Sequence, residues 1–378
     1  MVFGLPSSSQ HPTSLRVEVG DDRASTAQAL CLTPRMCSLI ALPVPRPTVD
    51  STALPESGIA IVGSGRMARR HAEAYRALAC PPRVAYIVSP LHAADLAAWS
   101  GAIALTTLGQ ALDDAAVSMV DICTPPATHR ELVVAALEAG VHVMVEKPIA
   151  LDLADAAAIA EAERGSLNFV MVAHVVRFVP AYRAVEASVE QGDVGRVHTV
   201  RARRVSAHPR NVAWIDDEDA SGGPIVDLMV HDFDQANRYL GRARTAFAKR
   251  SSTKSPVEVI VGYDGGGVAV IEGSWWMPDS HPFSSSIDVH GDLGVVTATV
   301  GPDVGTVLYP AVGEPRSLVL SGLEGYEAQA AYMLGCVSSK VAPQIGTTLQ
   351  SFDALAVALA ARLSLATGRV EEVGAFAH

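Results

Sequence analysis

The chain has 378 residues, of which 49% are hydrophobic and 18% are charged. This composition supplies enough apolar material for a sizeable core and excludes a wholly disordered chain. The 29 Lys and Arg against 40 Asp and Glu give a net charge of -11, which argues against nucleic acid and anionic membrane surfaces as partners. The five cysteines form no CxxC pair, so we predict no metal site. No apolar run is long enough to span a membrane, and we expect a cytoplasmic protein.

Residues 1–56 differ from the rest because they are rich in Ser, Thr and Pro and show no sustained periodicity. We interpret them as a mobile leader, or as an over-long start with Met36 as an internal initiator. A targeting peptide is the alternative, although Glu18, Asp21 and Asp22 are atypical of one. The first folded domain is therefore predicted to begin at residue 57.

The segment 57–178 alternates short apolar strands with helices. Strands are predicted at 58–62, 83–88, 119–123, 141–145 and 168–173, and helices after the first strand to about 79, at 128–139 and at 153–163. Buried strands that alternate with helices indicate βαβ units around a doubly wound parallel sheet. We therefore predict an α/β Rossmann domain.

The pattern changes in the segment 179–372. Longer strands are predicted at 196–206, 257–263, 268–276, 285–290 and 295–300, joined by Gly-containing turns that are typical of antiparallel neighbours. A long Ala- and Leu-rich helix at 349–367 is expected to end at Gly368. We predict an α+β domain with a large open, mainly antiparallel sheet, followed by a tail at 373–378.

A glycine-rich turn follows the first predicted strand. Gly63 permits a tight turn, Gly65 lets the backbone approach a pyrophosphate, and Ala68 is small enough for close contact between helix and strand. The helix N-terminus adds amide groups and a positive dipole, so Gly63, Ser64, Gly65, Arg66 and Met67 form a predicted dinucleotide site. A tight turn without a ligand is the alternative.

The second strand ends at Ser89, where NAD-binding folds usually offer an acid to the ribose hydroxyls. Ser89 can hydrogen-bond a hydroxyl or a 2′-phosphate. With neither a carboxylate nor an arginine beside it, the predicted cofactor is NAD or NADP.

Four motifs in chain order resemble the Gfo/Idh/MocA oxidoreductases, which are NAD(P)-dependent sugar and cyclitol dehydrogenases and their relatives. They are the glycine turn at 63–68, DICTPPATH at 121–129, VEKP at 145–148 and GGPIVDLMVHD at 222–232. The resemblance covers about residues 57–372. It implies an active site between the two domains, a sugar-like small-molecule substrate, and homo-oligomers formed through the antiparallel sheet.

The resemblance assigns roles by position. Lys147 matches the lysine beside the nicotinamide and the reacting carbon, and Asp227 and His231 match the pair that faces the substrate. The residues Thr124, Pro125, His129 and Glu146 match positions along the dinucleotide. Met229 stands where relatives often have glycine, a departure that we expect to change local packing rather than chemistry.

The predicted chemistry needs a base for the hydroxyl proton and a cation beside the developing alkoxide. Neutral His231 can accept a proton at cellular pH, and Lys147 can stabilise the oxygen or share the base role. In a helix from about Pro224 to Gly241, Asp227, His231 and Asp234 lie at i, i+4 and i+7 on one face. Asp227 then orients the imidazole or binds substrate hydroxyls, and Asp234 faces the rim of the site or solvent.

Three further residues are candidates for substrate contact: His174, Arg177 and Trp214. A structural salt bridge is the alternative for Arg177, and a core aromatic for Trp214. The function predicted from these residues is hydride transfer between nicotinamide and a secondary hydroxyl or ketone of a sugar, cyclitol or sugar derivative. The alternatives are a hydrolase or epimerase that uses transient oxidation with tightly bound NAD, and a non-catalytic dinucleotide-binding regulator.

Overall fold

The computed structural model describes residues 58–209 and 214–376, so the predicted leader and the end of the tail lie outside the described residues. Within them, the first sheet has six parallel strands in the order β3-β2-β1-β4-β5-β6. The strands are β1 Gly58–Val62, β2 Val84–Val88, β3 Ile103–Leu105, β4 Val117–Ile122, β5 His142–Val145 and β6 Val170–Val172. The strand order reverses between β1 and β4, because β2 and β3 lie on one side of β1 and β4 to β6 lie on the other. Open α/β sheets bind ligands at the carboxyl ends of the strands at such a point.

Helices connect these strands, as the alternating pattern predicts: α1 Arg66–Ala77, α2 Ala93–Ser100, α3 Leu108–Leu112, α4 His129–Glu138 and α5 Leu153–Arg164. The unit formed by α2, β3 and α3 was not predicted. Its edge strand has three residues, two of them exposed, so it lacks the buried apolar run that marks the other strands.

A 3-10 turn at Val175–Phe178 and α6 Pro180–Glu190 lead into the second sheet. Among the described residues this sheet has nine strands in the order β14-β13-β12-β11-β7-β10-β9-β8-β15. They are β7 Val197–Ala207, β8 Ala243–Lys249, β9 Val257–Tyr263, β10 Val268–Met277, β11 Ser284–Gly291, β12 Gly294–Val300, β13 Gly305–Pro310, β14 Arg316–Ser317 and β15 Glu371–Glu372. Only the central pair of β7 and β10 is parallel in this part of the chain, so the prediction of a mainly antiparallel sheet is confirmed.

Helices cover one face of the second sheet and leave the other open. The covering elements are a π-helical segment at Pro224–Leu228, α8 Val230–Leu240 and α10 Thr348–Thr367, with α6 over β12 and β13. Strand β9 alternates buried and more exposed residues along its length, which is typical of a sheet with one face in contact with the core. Two further helices are the short α7 Glu218–Ser221 and α9 Gly325–Ser339, and α9 packs on α1.

The long helix α10 was predicted at 349–367, and it ends at Gly368 in the left-handed conformation (φ 70°). By length and composition alone this helix could cross a membrane. It packs against β8 and α8 and most of its apolar window is buried, as in the core helix of a folded domain.

Candidate active site

The turn between β1 and α1 has the shape that a pyrophosphate needs. Gly63 has φ +113°, and a Cβ there would lie 2.7 Å from the Cys123 carbonyl oxygen, so only glycine fits. Gly65 caps α1 and has no heavy atom within 4 Å of its ideal Cβ position, so its open side can receive a ligand. The first turn of α1 has no acidic residue to oppose an anion. These residues therefore fit a dinucleotide, with Arg66 and Met67 in the first helical turn.

Two predicted cofactor residues, Ser64 and Ser89, meet beside this turn. The Ser64 hydroxyl donates to Ser89 Oγ at 3.1 Å. The Ser89 hydroxyl hydrogen is thereby left to donate to a ribose hydroxyl or to a phosphate oxygen.

The loop after β4 is held by His129. The ring is buried, with Nε2 2.9 Å from the Thr124 carbonyl oxygen and Nδ1 3.0 Å from that of Pro148. Burial lowers the pKa of His129. His129 therefore lies between the loop of Thr124 and the exposed Pro125 and the backbone that follows Lys147, and its ring nitrogens face carbonyl oxygens of both segments.

Lys147 follows β5 and reaches across to the π-helical segment of the second domain. Its Nζ donates to the Asp227 carbonyl oxygen at 2.6 Å and to Asp227 Oδ1 at 3.0 Å. The two side chains are 16% and 20% exposed, so the pair is accessible from the cleft. Asp227 Oδ1 binds the lysine, and His231 Nδ1 has no hydrogen-bond partner among the described residues, so the structure does not show Asp227 orienting the imidazole. The other expected role of Asp227, binding substrate hydroxyls, stays a prediction.

His231 lies in the first turn of α8 and is 8% exposed. Burial, together with the positive charges of Lys147 and Arg204, lowers its pKa well below the usual value. Its Nδ1 is buried and has no hydrogen-bond partner among the described residues. His231 is thus unprotonated at neutral pH, which is the form that a proton acceptor needs.

His174 and Arg177 lie behind His231 rather than at an open surface. The His174 ring is edge-on to the His231 ring, 6.2 Å away between centroids, and its Nε2 is 2.9 Å from Ser351 Oγ of α10. Arg177 is 5% exposed and donates to both carboxylate oxygens of Asp234, at 2.6 and 2.7 Å. The structural alternative for Arg177 is therefore the one observed.

The placement of Asp234 corrects a prediction. We expected it at the rim or in solvent, but it is 1% exposed and Arg177 keeps it inside. Burial by itself raises the pKa of Asp234, and the Arg177 charge outweighs burial and leaves that pKa below its usual value. Helical spacing placed the residue on the correct face but carried no information about its depth.

Met229 and Trp214 are both at least partly buried. Met229 is buried against Gly273 of β10, where a Cβ would lie 2.2 Å from its side chain, so the change from glycine is accommodated by packing. Trp214 borders the residues that are not described and is half-buried. Its contact with substrate stays a prediction.

The sequence interpretation missed a buried network behind Lys147. Glu146, assigned to the cofactor by resemblance, is 6% exposed and lies 3.0 Å from His71 Nε2. On its other side His71 contacts Asp121, which also accepts a hydrogen bond from Tyr75. The one signal in the sequence was Asp121, an acid inside an apolar strand, since such a group needs a buried partner.

Two family models match the chain. The model described as the oxidoreductase family with an NAD-binding Rossmann fold matches residues 57–174, and the GFO/IDH/MocA C-terminal domain matches residues 182–297. An inositol 2-dehydrogenase of Rhizobium meliloti is 30% identical over 251 residues, which are 63% of this chain and 74% of the relative. A levoglucosan dehydrogenase of Pseudarthrobacter phenanthrenivorans is 32% identical over 48% of this chain and 50% of the relative.

Solved structures share the fold. A levoglucosan dehydrogenase in complex with NADH and levoglucosan matches with a TM-score of 0.76 at 20% identity. The match covers 84% of this chain and 99% of that one.

Proposed function

Because the chain belongs to the Gfo/Idh/MocA family of NAD-binding oxidoreductases and dehydrogenases acting on CH–OH groups, we propose that it acts on sugar-like substrates. It transfers a hydride between nicotinamide and a secondary hydroxyl or ketone of a sugar, cyclitol or sugar derivative. The observation that carries the proposal is the meeting of Lys147 with Asp227, 80 residues apart in sequence, across the cleft beside His231. Relatives named as inositol and levoglucosan dehydrogenases support the substrate class.

The side chains at the cleft divide the work of alcohol oxidation. A bound dinucleotide supplies the hydride acceptor at its nicotinamide ring. Neutral His231 takes the hydroxyl proton, and the Lys147 ammonium donates a hydrogen bond to the oxygen as negative charge develops. Asp227 holds Lys147 with two acceptors and so limits the positions that Nζ can take.

Ser64 and Ser89, at the predicted ribose site, suit both NAD and NADP. Ser89 offers a hydroxyl where an acid would repel a 2′-phosphate, and neither Ser64 nor Ser89 carries charge. We therefore propose that both cofactors are accepted.

Hydride transfer is tested by nicotinamide absorbance with NAD and NADP against a panel that includes myo-inositol, scyllo-inositol and levoglucosan. Turnover is expected with at least one polyol, and Lys147→Ala should abolish it. Lys249→Ala is the matched control because Lys249 is exposed on β8, and it should retain full activity. Unchanged turnover in Lys147→Ala would contradict the proposal.

Two alternative functions give different results in the same experiment. A hydrolase or epimerase that uses transient oxidation would purify with tightly held dinucleotide and show no net reduction during turnover. A non-catalytic regulator would bind NADH while Lys147→Ala and His231→Ala left its biological effect intact.

We also propose that the chain forms homo-oligomers through the open face of the nine-stranded sheet. That face includes the exposed Ile260 on β9 and Arg201 on β7. The support is the resemblance to the family together with an extended sheet face that the described helices leave uncovered.

A further inference from the structure

His71 links the helix of the phosphate site to the core behind Lys147. It lies on α1, five residues after Arg66, or about 7.5 Å along the helix axis. Its side chain is 2% exposed, and each ring nitrogen faces a carboxylate. Nδ1 is 3.0 Å from both oxygens of Asp121, and Nε2 is 3.0 Å from Glu146 Oε1.

The network continues from Glu146 to the lysine. The second carboxylate oxygen, Glu146 Oε2, accepts a hydrogen bond from the backbone N–H of Lys147 at 3.0 Å. One oxygen of Glu146 thus lies within ion-pair distance of His71 Nε2, without the alignment of a hydrogen bond. The other accepts from the backbone from which the Lys147 side chain departs. A shift of His71 would therefore be transmitted to Lys147 through a single carboxylate.

The surroundings of His71 demand a proton on each ring nitrogen. An imidazole nitrogen without a proton would set its lone pair against a carboxylate in a buried environment. The titratable groups beside the ring are Asp121 of β4, Cys123 just after it, Glu146 after β5 and Tyr326 on α9. Tyr75 on α1 donates to the same Asp121. Burial by itself lowers the pKa of His71, but the Asp121 carboxylate outweighs burial and raises that pKa well above its usual value.

We propose that His71 is a positioning residue for Lys147: a doubly protonated imidazole that holds Glu146 in place and thereby sets the direction in which Lys147 enters the cleft. The inference rests on the proposed function only for the role of Lys147 in the reaction. Because α1 also forms the phosphate site, His71 keeps the lysine in a constant relation to the helix that receives the dinucleotide.

The protonation state is tested on the wild-type protein. Nitrogen-15 NMR of the histidine rings, with His71 assigned by His71→Gln or by tertiary contacts, should show both ring nitrogens of His71 protonated at neutral pH. A neutral His71 ring at that pH would overturn the proposal, and this measurement does not depend on any variant folding.

The positioning role is tested by the reactivity of the lysine itself. The chain has only four lysines, so trace labelling with acetic anhydride, read by mass spectrometry, reports Lys147 separately from Lys249, Lys254 and Lys340. Release of Lys147 from Asp227 in His71→Gln should raise its labelling rate roughly tenfold, while the other three rates stay unchanged.

Two further variants make the labelling decisive. Ser364→Ala removes a buried hydroxyl that accepts from the Ala248 N–H, far from this network, and should lower stability without altering the labelling of Lys147. Glu146→Gln is close in shape and should raise the labelling of Lys147 in the same direction as His71→Gln, so it replaces that variant if His71→Gln does not fold. Labelling of Lys147 at the wild-type rate in a folded variant of either residue would overturn the proposal.

Steady-state kinetics then distinguish a positioning role of His71 from a general loss of structure in the variant. In His71→Gln the kcat should fall roughly 100-fold, as expected for a misplaced reacting group, while the KM for NAD stays near that of the wild type. The labelling and NMR measurements need neither substrate nor turnover, so they decide the role of His71 even if hydride transfer is not found.

Discussion

Three acidic side chains within eight residues, Asp227, Asp232 and Asp234, are each bound by a different base. Lys147 binds Asp227 at the cleft, Arg204 of β7 binds Asp232, and Arg177 binds Asp234. The first pair is accessible, whereas the other two are buried and hold α8 to its neighbours. His231 is thus carried by a helix whose position is set by the buried pairs, while the Lys147–Asp227 pair stays accessible at the cleft.

The role of the Arg177–Asp234 pair can be measured directly. Asp234→Ala leaves a buried guanidinium without its partner, so the free energy of unfolding should fall by about 3–5 kcal/mol in chemical denaturation. Asp264→Ala is the control, since its ion pair with Arg242 is largely exposed and should contribute about 1 kcal/mol or less. Equal losses in the two variants would mean that the buried pair does not stabilise the fold.

In the proposed reaction, the decrease of kcat/KM at low pH reports the protonation of His231. A base must be unprotonated to work, so kcat/KM falls as pH decreases through its pKa. Because burial and the Lys147 charge lower that pKa, activity should persist below about pH 6.5, the usual pKa of histidine. A half-maximal point at or above that pH would count against His231 as the proton acceptor.

At the scale of elements, two short turns determine the cleft. The turn from β1 to α1 offers its amides to an anion, and the π-helical segment before α8 places the carbonyl and the carboxylate of Asp227 against Lys147. We expected one regular helix from 224 to 241, and the wide turn at its start is a local departure of the kind often found at functional sites. Both turns rely on glycines with positive φ, Gly63 and Gly223.

The two glycines of the phosphate turn should differ when substituted. Gly63→Ala introduces a Cβ against the Cys123 carbonyl at a strained φ, and it should cost about 1–3 kcal/mol of stability. Gly65→Val points into open space from an extended backbone and loses only the N-cap preference for glycine, so it should cost about 1 kcal/mol or less of stability. Thermal unfolding with and without NAD separates the effects, because only Gly65→Val should fold normally yet lose the stabilisation by NAD. If Gly65→Val retained that stabilisation, the pyrophosphate would not lie at this turn.

At the scale of the whole molecule, one sheet carries the nucleotide site and the other combines a helix-covered face with an open one. The covered face supplies Asp227 and His231 to the cleft, while the open face leaves Ile260 at 48% exposure. Catalysis and assembly would therefore use opposite sides of the second sheet.

Assembly through the open face is tested by Ile260→Arg. In a monomer this exposed position tolerates arginine, but in a sheet-to-sheet interface the change would bury an unpaired charge. Light scattering after size exclusion should then give a smaller species than the wild type, with an unchanged circular dichroism spectrum. An unaltered mass, in a wild type that is an oligomer, would place the interface elsewhere.

The sequence by itself determined the two fold classes, most strand positions and the glycine turn, because these follow from apolar periodicity and from backbone conformations that only glycine adopts. It also determined the motifs that identify the family. Only the tertiary structure decided that Asp234 is buried on Arg177, 57 residues away, and that Glu146 faces His71, 75 residues away. Local spacing gives the face of a helix or the end of a strand on which a side chain lies. Local spacing does not predict which side chain of a distant element will contact that residue. For a buried charge, the contacting partner determines whether the residue has a structural or a catalytic role.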